Sequence, residues 1–205
     1  MVFDGRVRSQ RVIRHVAAKL LACPVENLPQ ACPPGTGINT NSQHDQQSQA
    51  ERLRISTMPR YRNHGIGFSY PDEWEIIEES GDECTTITVA EPEGTSFWSL
   101  HLMWKRPQVE EVLDQIDTAF REEYDEIDIE PSVVRLARRE SEARQIDFVC
   151  LELVNTALVR VFRTGRFTVM LLCQATDHEL DEMKVQFQEI SDTLDVDLDG
   201  DILIS

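Results

Sequence analysis

Apolar and polar residues alternate from Gly67 to Trp104 with a period of two, the repeat of an extended strand whose side chains leave on opposite faces. Phe68 and Tyr70 share one side of the first run. Pro71 ends it, because proline fixes φ and has no amide hydrogen to donate. Trp74 starts the next strand, with Ile76 on its own side and Ile77 opposite. Thr85–Glu91 and Ser96–Trp104 follow, joined by Pro92-Glu93-Gly94-Thr95 in the manner of a hairpin. The last of these strands carries Trp98, Leu100, Leu102 and Trp104 on one face and Phe97, Ser99, His101 and Met103 on the other. A strand apolar on both sides needs cover on both.

At Pro107 the repeat becomes helical. Val109, Val112, Leu113, Ile116, Phe120 and Tyr124 recur at 3-4 spacing, while Glu110, Glu111, Asp114, Asp117, Glu122 and Glu123 face water. Asp125–Glu130 reads as an acidic connector closed by Pro131. Strands are then expected at Val133–Arg139, Arg144–Val154, Ala157–Arg163 and Arg166–Ala175, with turns at Glu140-Ser141-Glu142, Asn155-Thr156 and Thr164-Gly165. Thr176 and Glu179 have the spacing of a capping box, so the final helix starts there, with Leu180, Met183, Phe187, Ile190 and Leu194 as its buried stripe. These elements predict an α+β protein: a three-layer α/β/α sandwich with a central, mainly antiparallel sheet and one helix on each face.

The Gly67-Phe68-Ser69-Tyr70-Pro71-x-x-Trp74 opening, the mid-domain helix, the long antiparallel meander and the terminal helix resemble the PsbP-like fold over residues 61–194. That fold includes extrinsic photosystem II proteins, a Ran-binding nuclear-import factor and many bacterial domains of unknown role. The resemblance implies a non-enzymatic accessory or binding role. It carries no functional residue across, because Phe68, Tyr70, Pro71 and Trp74 are core and turn residues.

Charge divides the chain. Residues 1–60 hold eight Lys/Arg and four Asp/Glu, and residues 61–205 hold twelve and thirty-three, for a total of −17. The organisation expected is a basic extension and low-complexity linker over 1–58, the domain over 59–194 and an acidic tail over 195–205. Residues 5–22 combine Val12, Ile13, Val16, Leu20 and Leu21 with Arg6, Arg8, Arg11, Arg14 and Lys19. This segment reads as an unstructured extension, a basic surface helix, or an export signal. For the last, Leu20-Leu21-Ala22-Cys23 resembles a lipobox, but Arg14, His15 and Lys19 interrupt the apolar core such a signal needs. Residues 24–58 are rich in Pro, Gly, Asn, Gln and Ser, the composition of a linker. The acidic domain argues against nucleic acid and favours a protein partner, a basic one by charge. Membrane contact would need a lipid on Cys23. The compartment expected is the cytoplasm, with a lipid-anchored envelope protein as the alternative. Five cysteines cannot all pair with one another, and Cys150 and Cys173 lie in apolar strands as buried hydrophobes.

Candidate chemistry is sparse. Asp195, Asp197, Asp199 and Asp201, with Gly200, match the first half of a calcium-binding EF-hand loop, but the bidentate glutamate of its twelfth position falls beyond Ser205. Calcium is therefore the one cofactor with any pattern behind it. His101 reads as a satisfied core histidine. Asp147 and Glu152, in an apolar strand, call for a cationic partner such as Arg160. The run Glu122, Glu123, Asp125, Glu126, Asp128 and Glu130 reads as a solvated face. No nucleophile or acid/base set stands out, so the expected function is an accessory or protein-binding domain, with an enzyme of unrecognised site as the alternative.

Overall fold

The structure is a computed structural model, and it describes residues 58–197 apart from Glu93 and Leu151. Arg60–Asn63 (β1) and Ile66–Ser69 (β2) form a hairpin, and Asp195–Val196 (β10) pairs on the far side of β2 to complete a three-stranded antiparallel sheet. A second sheet of seven strands contains Glu75–Ser80 (β3), Cys84–Ala90 (β4), Phe97–Met103 (β5), Ile127–Leu136 (β6), Arg139–Cys150 (β7), Leu153–Arg163 (β8) and Thr168–Thr176 (β9). Its order is β3-β4-β5-β9-β8-β7-β6, and every neighbouring pair is antiparallel. Val109–Glu123 (α1) and Leu180–Asp192 (α2) are the two helices of the described residues.

The double-sided strands are covered as their sequence requires. Trp98, Leu100 and Leu102 of β5, with Val169 and Leu171 of β9, share a core with Met183, Phe187 and Ile190 of α2 and with Ile66, Phe68 and Val196 of the small sheet. The alternate residues, Phe97, Met103, Met170 and Leu172, join Val112, Leu113, Ile116 and Phe120 of α1 in a second core. The two helices therefore belong to different cores, reached from opposite faces of the same strands.

Several expectations are corrected. The domain has two sheets and not one, because β1, β2 and β10 pair only with each other. Trp74 precedes β3. Its amide bonds to the Pro71 carbonyl at 3.1 Å, and its buried ring meets Phe187 edge-on. The acidic connector is the first half of β6: Ile127 and Ile129 pack on the α1 core while Asp128 and Glu130 face out. The turn expected at 140–142 lies at Ala137-Arg138, both at positive φ, as a two-residue hairpin loop requires. Asn155 and Thr156 are buried within β8, and the turn before them contains Glu152 at φ 65°. The capping box does not form. Thr176 ends β9, Glu179 is the N-cap, and its carboxylate accepts hydrogen bonds from Thr95 and Ser96 at 2.9 and 2.8 Å. The acidic tail is not wholly outside the domain either, since Val196 of β10 is a core residue.

The edges of the large sheet are β3 and β6. β6 carries Pro131, and β3 carries Glu75, Glu78 and Glu79, features that discourage pairing with another chain. No helix of the described residues is long and apolar enough to cross a membrane.

Candidate functional site

A polar cluster gathers where the β1–β2 hairpin meets β3. The hairpin loop is His64-Gly65, with φ of 56° and 80°. His64 is tolerated there because positive φ at both loop residues matches the twist of the strands. The Asn63 side chain accepts the His64 amide hydrogen at 2.9 Å and fixes the loop. Glu78 then collects the cluster. One carboxylate oxygen accepts from the Tyr61 hydroxyl at 2.7 Å and from Asn63 at 3.5 Å, and the other lies 2.7 Å from His64 Nε2 and 3.3 Å from Ser80 Oγ. These donors, His64 first, hold the Glu78 carboxyl below the usual carboxylate range. Burial, followed by the same carboxylate, pushes the Tyr61 hydroxyl upward.

Rings and charges close the cluster. Tyr61 stacks on Phe68 at 5.1 Å, and His64 lies 5.9 Å from Trp104. Arg166 reaches over Gly65, where a Cβ would meet its guanidinium at 2.6 Å. Gly65→Ala is expected to destabilise the domain by about 1–2 kcal/mol, mostly through left-handed strain because the arginine can swing aside. Urea unfolding monitored by tryptophan fluorescence reads this, and an unchanged midpoint would show the loop to be free of strain. Chemically the cluster is a clasp. Both Glu78 oxygens are engaged, and the hydroxyls facing it donate to it.

A second polar group lies on the α1 side of β4 and β5. Thr86 Oγ1 is 3.1 Å from His101 Nδ1, Ser99 Oγ is 3.2 Å from His101 Nε2, and Thr88 Oγ1 is 2.9 Å from Ser99 Oγ. His101 is 2% exposed, and burial lowers its pKa to about 4. It is a neutral, satisfied core histidine, as expected from sequence. The thiols of Cys150 and Cys173 are pushed up by burial and are poor nucleophiles.

Two surfaces complete the picture. At the turn end of the β7–β8 hairpin, Val149 and Val154 form a cross-strand pair on one face, and Leu153 pairs with half-buried Cys150 on the other. Along α1 runs a groove of about 780 Å³ whose lining includes Glu110, Glu111, Asp114, Glu122 and the buried Ala119.

The residues singled out in the sequence are scattered. Asp195 is exposed on β10 opposite Gly67, and Asp197 follows, with its amide bonded to the Gly65 carbonyl at 2.8 Å and its carboxylate 4.0 Å from Arg62. Asp199 and Asp201 lie outside the described residues, as do Cys23 and the basic segment. Among the described residues no three metal-ligating side chains converge. Asp147 accepts from Thr156 and Gln145, at 2.5 and 3.1 Å, and not from Arg160, which reaches Gln188. Sequence reading missed the Glu78 cluster. Its one signal is Asn63-His64-Gly65, a turn tripeptide between two short extended runs.

No protein-family model matches the chain, and no curated protein matches it. Solved structures do. Cyanobacterial PsbP (CyanoP) from Synechocystis aligns with a TM-score of 0.52 at 12% identity, covering 70% of this chain and 95% of that one. LpqN, involved in cell envelope biogenesis of Mycobacterium tuberculosis, aligns with a TM-score of 0.46 at 15% identity, covering 73% and 96%. A variant of Mog1 aligns at 0.45 and 10%, covering 71% and 97%. At such identity a likeness speaks for the fold alone. The antiparallel seven-stranded sheet, its two helices and the CyanoP alignment together give this chain a PsbP-like fold.

Proposed function

We propose that residues 58–197 form a three-layer α/β/α sandwich that works as a non-enzymatic accessory module, joined to a protein partner through the turn end of the β7–β8 hairpin. The observation that carries this reading is the exposed aliphatic tip there: Val149 and Val154, paired on one face, are 37% and 45% exposed, and Leu153 on the other is 42% exposed. Apolar side chains gathered in water are favoured where a partner removes them. The rim is acidic. The Glu126 carbonyl accepts the Val149 amide hydrogen, the Asp177 amide donates to Val154, and Glu152 sits in the turn. An apolar patch with carboxylates around it fits a partner that presents aliphatic side chains among Lys and Arg. The closed hydrogen bonding of Glu78 and the burial of His101 support an accessory role over acid/base catalysis.

The test is affinity capture with wild-type protein and with Leu153→Lys/Val154→Lys, whose positions are exposed enough to spare the fold. The expected result is one or more proteins retained by wild type and lost from the double variant at equal melting temperature. Identical retention by both sinks the reading.

A further inference from the structure

We infer that the groove along α1 is the docking site of this chain's own basic segment, residues 5–22. The groove wall presents Glu110, Glu111, Asp114 and Glu122, and no Lys, Arg or His is among its described lining residues. Glu111, Asp114, Thr118 and Glu122 follow one another at spacings of three and four along the helix, so they form a single row on its outer side. The partner row is written in the same chain. Arg8, Arg11 and Arg14 recur every third residue, Arg6 and Lys19 flank them, and residues 5–22 contain no Asp or Glu. Val12, Ile13, Val16 and Leu20 supply apolar surface at matching intervals.

Charge and reach select this occupant. Residues 58–197 hold thirteen Lys/Arg against thirty-one Asp/Glu, so the field around α1 draws cations. Residues 23–57 separate the basic run from the domain. That many residues are long enough to reach across roughly 30 Å, about the diameter of a domain of this size. A tether of that length presents the segment to the groove at an effective concentration on the order of millimolar, well above what a foreign basic peptide supplies. Occupied by its own segment, the groove is closed to other basic ligands. The inference does not depend on the accessory role, since both surfaces belong to this chain.

Limited trypsin digestion of the intact chain tests it, with cleavage rates read by mass spectrometry. Cleavage after Arg8 and Lys19 is expected to be about tenfold slower than after Arg52 and Arg54, which lie outside the segment. About 0.5 M salt should erase the difference. Glu111→Lys/Asp114→Lys should erase it too, and adding Arg11→Glu/Arg14→Glu to that variant should restore it, a rescue that a merely misfolded helix would not give. Equal cleavage at all these sites overturns the inference, as does protection that ignores the charge reversal. Protection that fades on dilution assigns the groove to a second copy and overturns the contact within one chain. An intact mass beginning at Cys23 overturns it as well, because the segment is then absent.

Discussion

Trp98→Ala is expected to destabilise the domain by about 4 kcal/mol, a large part of what a domain of this size has. The side chain is fully buried where three elements meet. Its ring lies 4.7 Å from Phe68 of the small sheet, and its indole N–H donates to Ser191 of α2 at 3.0 Å. Truncation opens a cavity between the sheets and removes the one hydrogen bond that Trp98 makes to the helix. Trp98→Phe keeps most of the apolar volume and should lose only about 1–2 kcal/mol. Urea unfolding monitored by circular dichroism measures both. Equal losses for the two variants would mean that the hydrogen bond to Ser191, and not packing, holds the three elements together.

Acid should weaken the domain through His101. Its pKa falls from an unfolded value of about 6.5 to about 4 in the folded state, so between those values the unfolded chain binds a proton that the folded chain refuses. Stability is therefore highest above the unfolded value and declines as pH drops toward the folded one. From about pH 7.5 to about pH 4.5 the expected loss from this group is about 2.5 kcal/mol. Glu78, held low by His64 and Tyr61, contributes a loss of the same sign at lower pH. The decisive measurement is thus a difference between wild type and His101→Gln, which keeps a hydrogen-bonding side chain without the titration. A smaller pH dependence in the variant is expected. An identical one would assign the acid sensitivity to carboxylates alone.

The parts of the fold legible in sequence are those in which a residue's neighbours follow from local period. The stripe Val112, Leu113, Ile116 and Phe120 can face only a core, and β5 with its two apolar faces can lie only between two covers. Elements set by distant partners were not legible. β1 and β10 are short and mostly exposed, and they exist because β2 lies between them. β6 was hidden by Asp128, Glu130 and Pro131, which look like a loop until Ile127 and Ile129 are seen to share a face. Turn composition misled in both directions. Ala137-Arg138 turns without Gly or Asn, while Asn155 and Thr156 stay extended because Gln174 and Asp147 bind their side chains from neighbouring strands. The Glu78 cluster was invisible for the same reason, since Tyr61 and His64 approach it from a different sheet.

The place of β2 between β1 and β10 bears on how the protein is made. A ribosome delivers Ile66 and Gly67 early and their partners Val196 and Asp195 only after both helices and the whole large sheet have been synthesised. Throughout elongation β2 is a strand with one side unpaired, of the kind that chaperones shield and that sticks to other nascent chains. Translation stalls or premature stops before Val196 would thus release a product that holds the whole large sheet yet is still adhesive.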